Sequence, residues 1–403
     1  MQIFLVKLIC FFVPIRKYRK KLKAKLMANI DSGVTSLKHN HAKGEVLISY
    51  MKDSALLKDD DHRLMFHTNR WENREIARIF HDMGYNVDCI DFNRKFIPRK
   101  QYDIMLDIEG RFAEYAKWLK PNTLKIFHST GSYGPYNNQR EQERLDYFYQ
   151  RHGISLPVER VFNADMDEAL ENADVCSLIG NEWTMNTYPQ KFHDKIHLVG
   201  VTGSFLNKIK NAEEYYPQEK EFLWMGGAGP LHKGLDILLE IFARHPEWTL
   251  NIMGKINPKS EFYKIFKKEL TQLPNIHFHG LVMPSSEKFQ DIVSRCFVFV
   301  NPSCAEGMST AAVTALSAGL YPLISYSNGF TLPDKCGIYL DKCSVEEVEE
   351  ALHKIWHADK TQVKQEIAIV QKYTLDNFSR KCFRQNMEAF LSQQVSLYSK
   401  SQG

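Results

Sequence analysis

Short apolar runs recur along this chain, separated by longer stretches whose apolar residues fall at helical spacing. The runs predict strands at Val46–Tyr50, Asn86–Phe92, Asp103–Asp107, Leu124–Phe127 and Val175–Ile179. Further on they predict strands at Phe222–Met225, Trp248–Met253, Ile276–His279, Phe297–Val300 and Tyr321–Ile324. Helices are expected near Glu72–Met83, near Arg111–Leu119 and over about Thr361–Gln393. Strands that are apolar throughout, alternating with helices, mean parallel sheets covered on both faces. The expected fold class is therefore α/β, with two doubly wound Rossmann-like domains facing a central cleft. In such sheets a ligand lies outside the carboxyl ends of the strands.

Two strand–loop–helix junctions carry candidate chemistry. After Phe222–Met225 comes Gly-Gly-Ala-Gly-Pro-Leu-His-Lys-Gly, and then a helix with Leu235, Leu238, Leu239 and Phe242 on one face. Gly226, Gly227 and Gly229 allow close backbone approach to a ligand, and Lys233 brings a mobile positive charge. After Phe297–Val300 comes Asn-Pro-Ser-Cys-Ala-Glu-Gly, then a helix from Ser309 to Ala318 closed by Gly319. A helix start offers free N–H groups and a positive dipole end, which suit phosphate. Glu306 would repel phosphate but accept hydrogen bonds from sugar hydroxyls. Together the loops suggest a sugar-phosphate or nucleotide-sugar pocket.

These segments resemble the donor half of GT-B glycosyltransferases of the retaining family 4, or group 1, type. Pro302, Ser303, Glu306 and Gly307 match that family's second loop, and Lys233 and Gly234 match its first. The resemblance implies a GT-B fold and transfer of a sugar from a nucleotide-sugar donor to a glycan or lipid-linked acceptor, as in bacterial surface-polysaccharide synthesis (lipopolysaccharide or capsule). It implies that Lys233 contacts the diphosphate and that Glu306 holds sugar hydroxyls. Gly307, Met308 and Ser309 would present N–H groups, beside Thr310, with Gly226, Gly227, His232 and Gly234 completing the donor loops. No metal or other cofactor is expected, since Lys233 and the helix dipole would stabilise the leaving diphosphate. Two positions depart from the family: Thr314 stands where a second Glu would hold the ribose, and Ala228 where an Arg is usual. Thr314 is kept as a ribose candidate.

The first domain adds His128, which follows the strand Leu124–Phe127 and is expected to face the cleft as a catalytic or orienting group. Glu182 follows the strand Val175–Ile179 in the same way and is an acceptor-side candidate, as are Asn69 and Glu72 in the segment His67–Glu72, which precedes a helix; Thr68 or Asn69 could also simply cap that helix. Asp59-Asp60-Asp61-His62 reads as a solvated loop rather than a metal site.

Composition changes the picture at one end only. The chain has 403 residues, 44% hydrophobic and 25% charged, with a net charge of +4, which fits a globular multidomain protein and does not argue for nucleic acid. Eight cysteines are scattered without C-x-x-C spacing and read as buried thiols of a reducing compartment. Residues 1–15 are mostly apolar, and Arg16, Lys17, Arg19, Lys20, Lys21, Lys23 and Lys25 follow. The run is shorter than the roughly 20 residues a membrane span needs, and its charges follow rather than precede it. An interfacial anchor on anionic lipid is expected, which would place the protein at the inner face of the cytoplasmic membrane.

The expected organisation is an amphipathic basic segment over 1–26, a linker over 27–43, an acceptor-side domain over 44–205, a nucleotide-sugar domain over 206–375, and a helix over 376–403 packing back on the first domain. Two other classes are weighed. A weakly active or inactive membrane-associated partner of another transferase would also bind nucleotide sugar. A dinucleotide oxidoreductase would need G-x-G-x-x-G after the first strand, where Met51-Lys52-Asp53-Ser54 stands instead.

Overall fold

The computed structural model describes residues 18, 19, 22, 33–65, 67–93, 98, 100–212 and 221–401. The expected anchor over 1–26 thus lies outside the described residues, apart from Tyr18, Arg19 and Leu22.

Two sheets form. The first contains β1 (Val34–Leu37), β2 (Glu45–Tyr50), β3 (Asn86–Asp91), β4 (Tyr102–Asp107), β5 (Leu119–Ser129), β6 (Val175–Ile179) and β7 (Ile196–Val199), in the order β1-β3-β2-β4-β5-β6-β7. All pairings are parallel except that of β1 with β3. The second contains β8 (Glu221–Gly226), β9 (Thr249–Gly254), β10 (Ile276–Gly280), β11 (Cys296–Asn301), β12 (Tyr321–Ser325) and β13 (Ile338–Leu340), in the order β10-β9-β8-β11-β12-β13, all parallel. Both are doubly wound. Strands such as β6 and β11 are buried at every residue, which is why they read as unbroken apolar runs.

The topology fixes where a ligand can sit. In the second sheet the winding reverses between β8 and β11, so the loops leaving Gly226 and Asn301 flank the crevice. The helix Leu235–Arg244 follows the first of these loops and Thr310–Ser317 the second.

Several sequence expectations need correction. The polar stretch expected to be a linker holds β1, an edge strand half-buried along its length. The helix expected over Arg111–Leu119 shrinks to Phe112–Tyr115 and a 3-10 turn, because β5 already begins at Leu119. The C-terminal helical stretch is two helices, Lys360–Asn377 and Arg380–Ser401. The second carries Phe383, Met387, Phe390 and Leu391 into the core of the first domain.

The helix Gly134–His152 follows β5 but leaves the first domain. Its Leu145 and Phe148 join the second domain's core with Phe222, Trp224 and Leu238.

Candidate active site

Gly234 and Pro302 bring the two loops together. Gly234 caps the helix Leu235–Arg244 with φ 68, and a Cβ there would lie 2.5 Å from Pro302 Cγ. Any other residue would be strained and would push the loops apart. Next to this contact Lys233 Nζ pairs with Glu306 Oε1, their side chains only 10% and 12% exposed. Ser303 Oγ donates to the same carboxylate oxygen at 3.0 Å. Burial alone would raise the Glu306 carboxyl, but Lys233, Arg160 and His232 outweigh it and hold it at about 2. Glu306 is thus an ionised acceptor at any physiological pH.

His232 lies directly behind this pair and is fully buried. Its Nδ1 is 2.7 Å from Glu141 Oε2 and 3.3 Å from Cys304 Sγ, and its Nε2 is 2.5 Å from Ala305 O. Burial opposes its charge, yet Cys304, Glu141 and Glu306 together push the imidazole up to about 9. Cys304 N also donates to His232 O at 2.9 Å, so backbone and side chain both tie the loops together.

The first domain closes one end of the site. A Cβ on Gly307 would lie 2.6 Å from Ile179 O and 2.7 Å from Thr130 O, at the carboxyl ends of β6 and β5. Thr184 Oγ1 donates to Gly307 O at 3.1 Å, and Thr68 Oγ1 is 3.4 Å from Thr310 Oγ1 across the cleft.

The structure thus brings Lys233, Gly234, His232, Glu306 and Gly307 together, with Gly226 ending β8 and Gly227 exposed beside it. Thr310 is half-buried at the cleft. Met308 turns its side chain into the core with Ala312 and Phe330.

Four candidates are corrected. Ser309 N–H is spent on Asn328 O at 2.8 Å and is not offered to a ligand. Thr314 is fully buried; its hydroxyl donates to Thr310 O at 2.7 Å and accepts from Ser204 N at 2.9 Å, so it holds the inter-domain connector and not a ribose. His128 lies inside β5, not after it, because the strand runs on to Ser129. It is fully buried, with Nδ1 2.8 Å from Ser177 Oγ and Nε2 without a partner among the described residues. Burial pulls its pKa down to about 4, which leaves the ring neutral. Glu72 is likewise fully buried, its Oε1 accepting from Thr202 N at 3.0 Å and from Thr202 Oγ1 at 3.2 Å.

Asn69 sits half-exposed in the first turn of the helix Thr68–Asp82, whose cap is His67 and not Thr68 or Asn69. Glu182 is exposed at the start of the helix Glu182–Met185.

Sequence reasoning missed Glu141, Arg144 and Arg160. Arg144 Nη2 donates to Pro302 O at 2.9 Å, and Arg160 adds a positive charge near Glu306. Glu141, Arg144, Leu145, Phe148, Arg151 and His152 fall at helical spacing on one face. That signal was available; its destination in the second domain was not.

Among the described residues, one trio of metal-ligating side chains is clustered: Glu141, His232 and Cys304, with ligand atoms within 4.8 Å of one another. The hydrogen bonds above already engage these atoms with one another.

Residues 219–358 match the family model described as Glycosyl transferases group 1. Both loops lie within the matched stretch. No curated protein matches the sequence. Similar solved structures include a sucrose-phosphate synthase from Thermosynechococcus elongatus, at 15% identity and TM-score 0.60, covering 88% of this chain and 99% of that one. Anabaena Alr3699/HepE in complex with UDP-glucose aligns at 11% identity and TM-score 0.55, covering 87% of this chain and 100% of that one. WaaG, a glycosyltransferase involved in lipopolysaccharide biosynthesis, aligns at 14% identity and TM-score 0.54, covering 86% and 99%. At these identities the likeness establishes the fold, which is GT-B.

Proposed function

We propose that the protein is a retaining glycosyltransferase that moves a hexose-type sugar from a nucleotide-diphosphate donor to a hydroxyl of a glycan or lipid-linked glycan. The observation that carries this reading is the Lys233–Glu306 pair, delivered by two loops that meet at the winding switch of the second sheet. A donor would separate the pair. Lys233 would turn to the diphosphate, and Glu306 would accept hydrogen bonds from sugar hydroxyls. The departing phosphate gains charge in the transition state, and a cation held in a part-buried site stabilises that charge strongly. The scheme uses no metal, the positive charge coming from Lys233 and its neighbours. HepE was solved with UDP-glucose, which supports a nucleotide sugar as the partner.

We place the acceptor on lipid for one reason, the apolar and then basic run over residues 1–26. Such a segment would hold the protein at the inner face of the cytoplasmic membrane. Among the described residues no helix is long and apolar enough to cross a membrane.

Calorimetry against a panel of nucleotide sugars, with Lys233→Ala as control, tests the reading. The variant should lose at least about tenfold in donor affinity, as expected for a charged phosphate contact. Wild-type turnover in Lys233→Ala would refute the donor site. Two observations favour a second reading, a weakly active nucleotide-sugar-binding partner: Thr314 is committed to the connector and Ala228 brings no charge. Donor binding without turnover across an acceptor panel would select it.

A further inference from the structure

Glu141, His232 and Ala305 come from three separate stretches of chain and meet in the protein interior. A backbone carbonyl only accepts, so His232 Nε2 must carry a proton toward Ala305 O. Glu141 Oε1 already accepts from Glu159 N at 3.0 Å and Arg160 N at 3.2 Å, bonds that favour the ionised carboxylate. Its Oε2 therefore accepts as well, and Nδ1 must donate. Both ring nitrogens are protonated and the ring is an imidazolium.

We propose that His232, kept doubly protonated by Glu141, is the positioning residue of the donor site: it holds the Pro302–Gly307 loop against the glycine-rich loop and sets a fixed positive charge behind Lys233 and Glu306. This rests on the donor site proposed above. The contacts give the physical reason. Without its charge the ring can donate from one nitrogen only, so either Ala305 O or Glu141 loses its partner. Ala305 directly precedes Glu306, and His232 directly precedes Lys233. A shift at either contact therefore moves the two side chains that would meet the donor. The charged and titratable groups around the ring are Glu141 from its helix, Cys304 and Glu306 from the loop, and Lys233 beside it. Arg160 and Glu159 lie on the neighbouring segment, Arg144 lies beyond Cys304, and Glu261 shares a narrow cavity with Glu141 and His232. The imidazole stays charged up to about pH 9 in this setting.

The test uses the full chain labelled with 15N-histidine, together with Glu141→Gln. The substitution keeps an oxygen for the Glu159 and Arg160 N–H groups but removes the carboxylate. In the wild type both ring nitrogens of His232 should read as protonated at pH 7, and donor affinity should fall only above about pH 9. In Glu141→Gln the ring should titrate well below its wild-type value, because burial then opposes its charge with less to offset it. Donor KM should rise about tenfold at pH 8 with a smaller change in kcat, and the gap should narrow as the pH falls and the ring recharges. An unprotonated ring nitrogen at pH 7 in the wild type would overturn the proposal, and this arm stands even if the variant does not fold. So would a donor affinity in Glu141→Gln equal to wild type at pH 8. Wild-type protein that binds no nucleotide sugar, but shows the protonated ring, would overturn the donor role together with the glycosyltransferase reading. A protonated ring with normal wild-type binding and an unaffected variant would overturn the positioning role alone.

Discussion

Replacing Glu306 by Gln separates the two tasks assigned to this side chain. The amide keeps the size and one oxygen but removes the charge that neutralises Lys233. Two effects of opposite sign follow. A carboxylate about 6 Å from a phosphate charge opposes it by about 3 kcal/mol at an effective dielectric of about 20, and by less than about 1 kcal/mol in bulk water. At 12% side-chain exposure the Glu306 site lies nearer the first limit. A free nucleoside diphosphate should therefore bind Glu306→Gln more tightly, by about tenfold or more. The sugar part loses by the same change. A bond to a charged acceptor contributes about 1.5–3 kcal/mol and a neutral one about 0.5–1.5, so each hydroxyl contact weakens by about 1 kcal/mol. The advantage of nucleotide sugar over bare diphosphate should shrink by tenfold or more, and turnover should collapse. Calorimetry with uridine and guanosine diphosphates and their glucose and mannose conjugates at pH 7.5 reads both terms. A diphosphate that binds the variant no more tightly than the wild type would refute the argument, because no phosphate would then lie near Glu306.

Thr314→Val removes the acceptor of the part-buried Ser204 N–H bond. It should cost about 1–3 kcal/mol and lower the thermal midpoint by a few degrees, while donor affinity stays unchanged; a weakened donor with unaltered stability would return Thr314 to the ribose. Burial pushes the Glu72 carboxyl up to about 7 from 4.5. Its folded value is the higher one, so the folded chain pays for ionisation as pH rises from 4.5 to 7 and gains nothing below that window. Glu72→Gln should therefore add up to about 3 kcal/mol of stability at pH 8, read as a higher thermal midpoint, and change little at pH 4.5; no gain at pH 8 excludes a buried ionised Glu72. Full-length protein should sediment with anionic vesicles at low salt and be partly released as salt rises, each basic residue contributing about 1 kcal/mol. Protein lacking residues 1–26 should stay in the supernatant and still bind donor, and equal sedimentation of the two would remove the case for an anchor.

Much of the fold was legible because strands buried on both faces leave an apolar run that needs no partner to be recognised. The donor loops were legible for a related reason, since Gly234 against Pro302 and Gly307 against Ile179 admit no side chain. Element boundaries are less legible, because one or two residues at a strand end leave no mark in the apolar pattern. β5 runs two residues beyond its apolar run, so His128 lies within the strand and is fully buried near its carboxyl end. β1 was invisible because a half-buried edge strand, Val-Thr-Ser-Leu, looks like any polar segment. Thr314 illustrates another limit. The helix Thr310–Ser317 was recognised, but which of its faces would meet residues 203 and 204 is a property of the domain interface.

The helix Gly134–His152 shows why a site read one domain at a time remains incomplete. Its first turn stays with the first domain, Gly134 against Phe162 and Tyr136 edge-on to Trp183. Glu141 faces both ways, accepting from Glu159 N and Arg160 N with one oxygen and meeting His232 with the other, and beyond it the helix reaches into the second domain. Arg144 reaches Pro302 O, Arg151 pairs with Asp236 and Glu240, and Tyr147 Oη accepts from Val345 N at 3.0 Å. The helix is therefore a strut between the sheets, and Glu141 stands where it changes sides. Its chain order assigns it to the first domain, yet its carboxylate fixes His232 behind the two loops of the second. Any relative movement of the two sheets must bend the chain at one end of this strut or shift Glu141 against His232. The alignment of Lys233 and Glu306 is thereby tied to the position of both domains, a dependence that neither loop's own sequence contains.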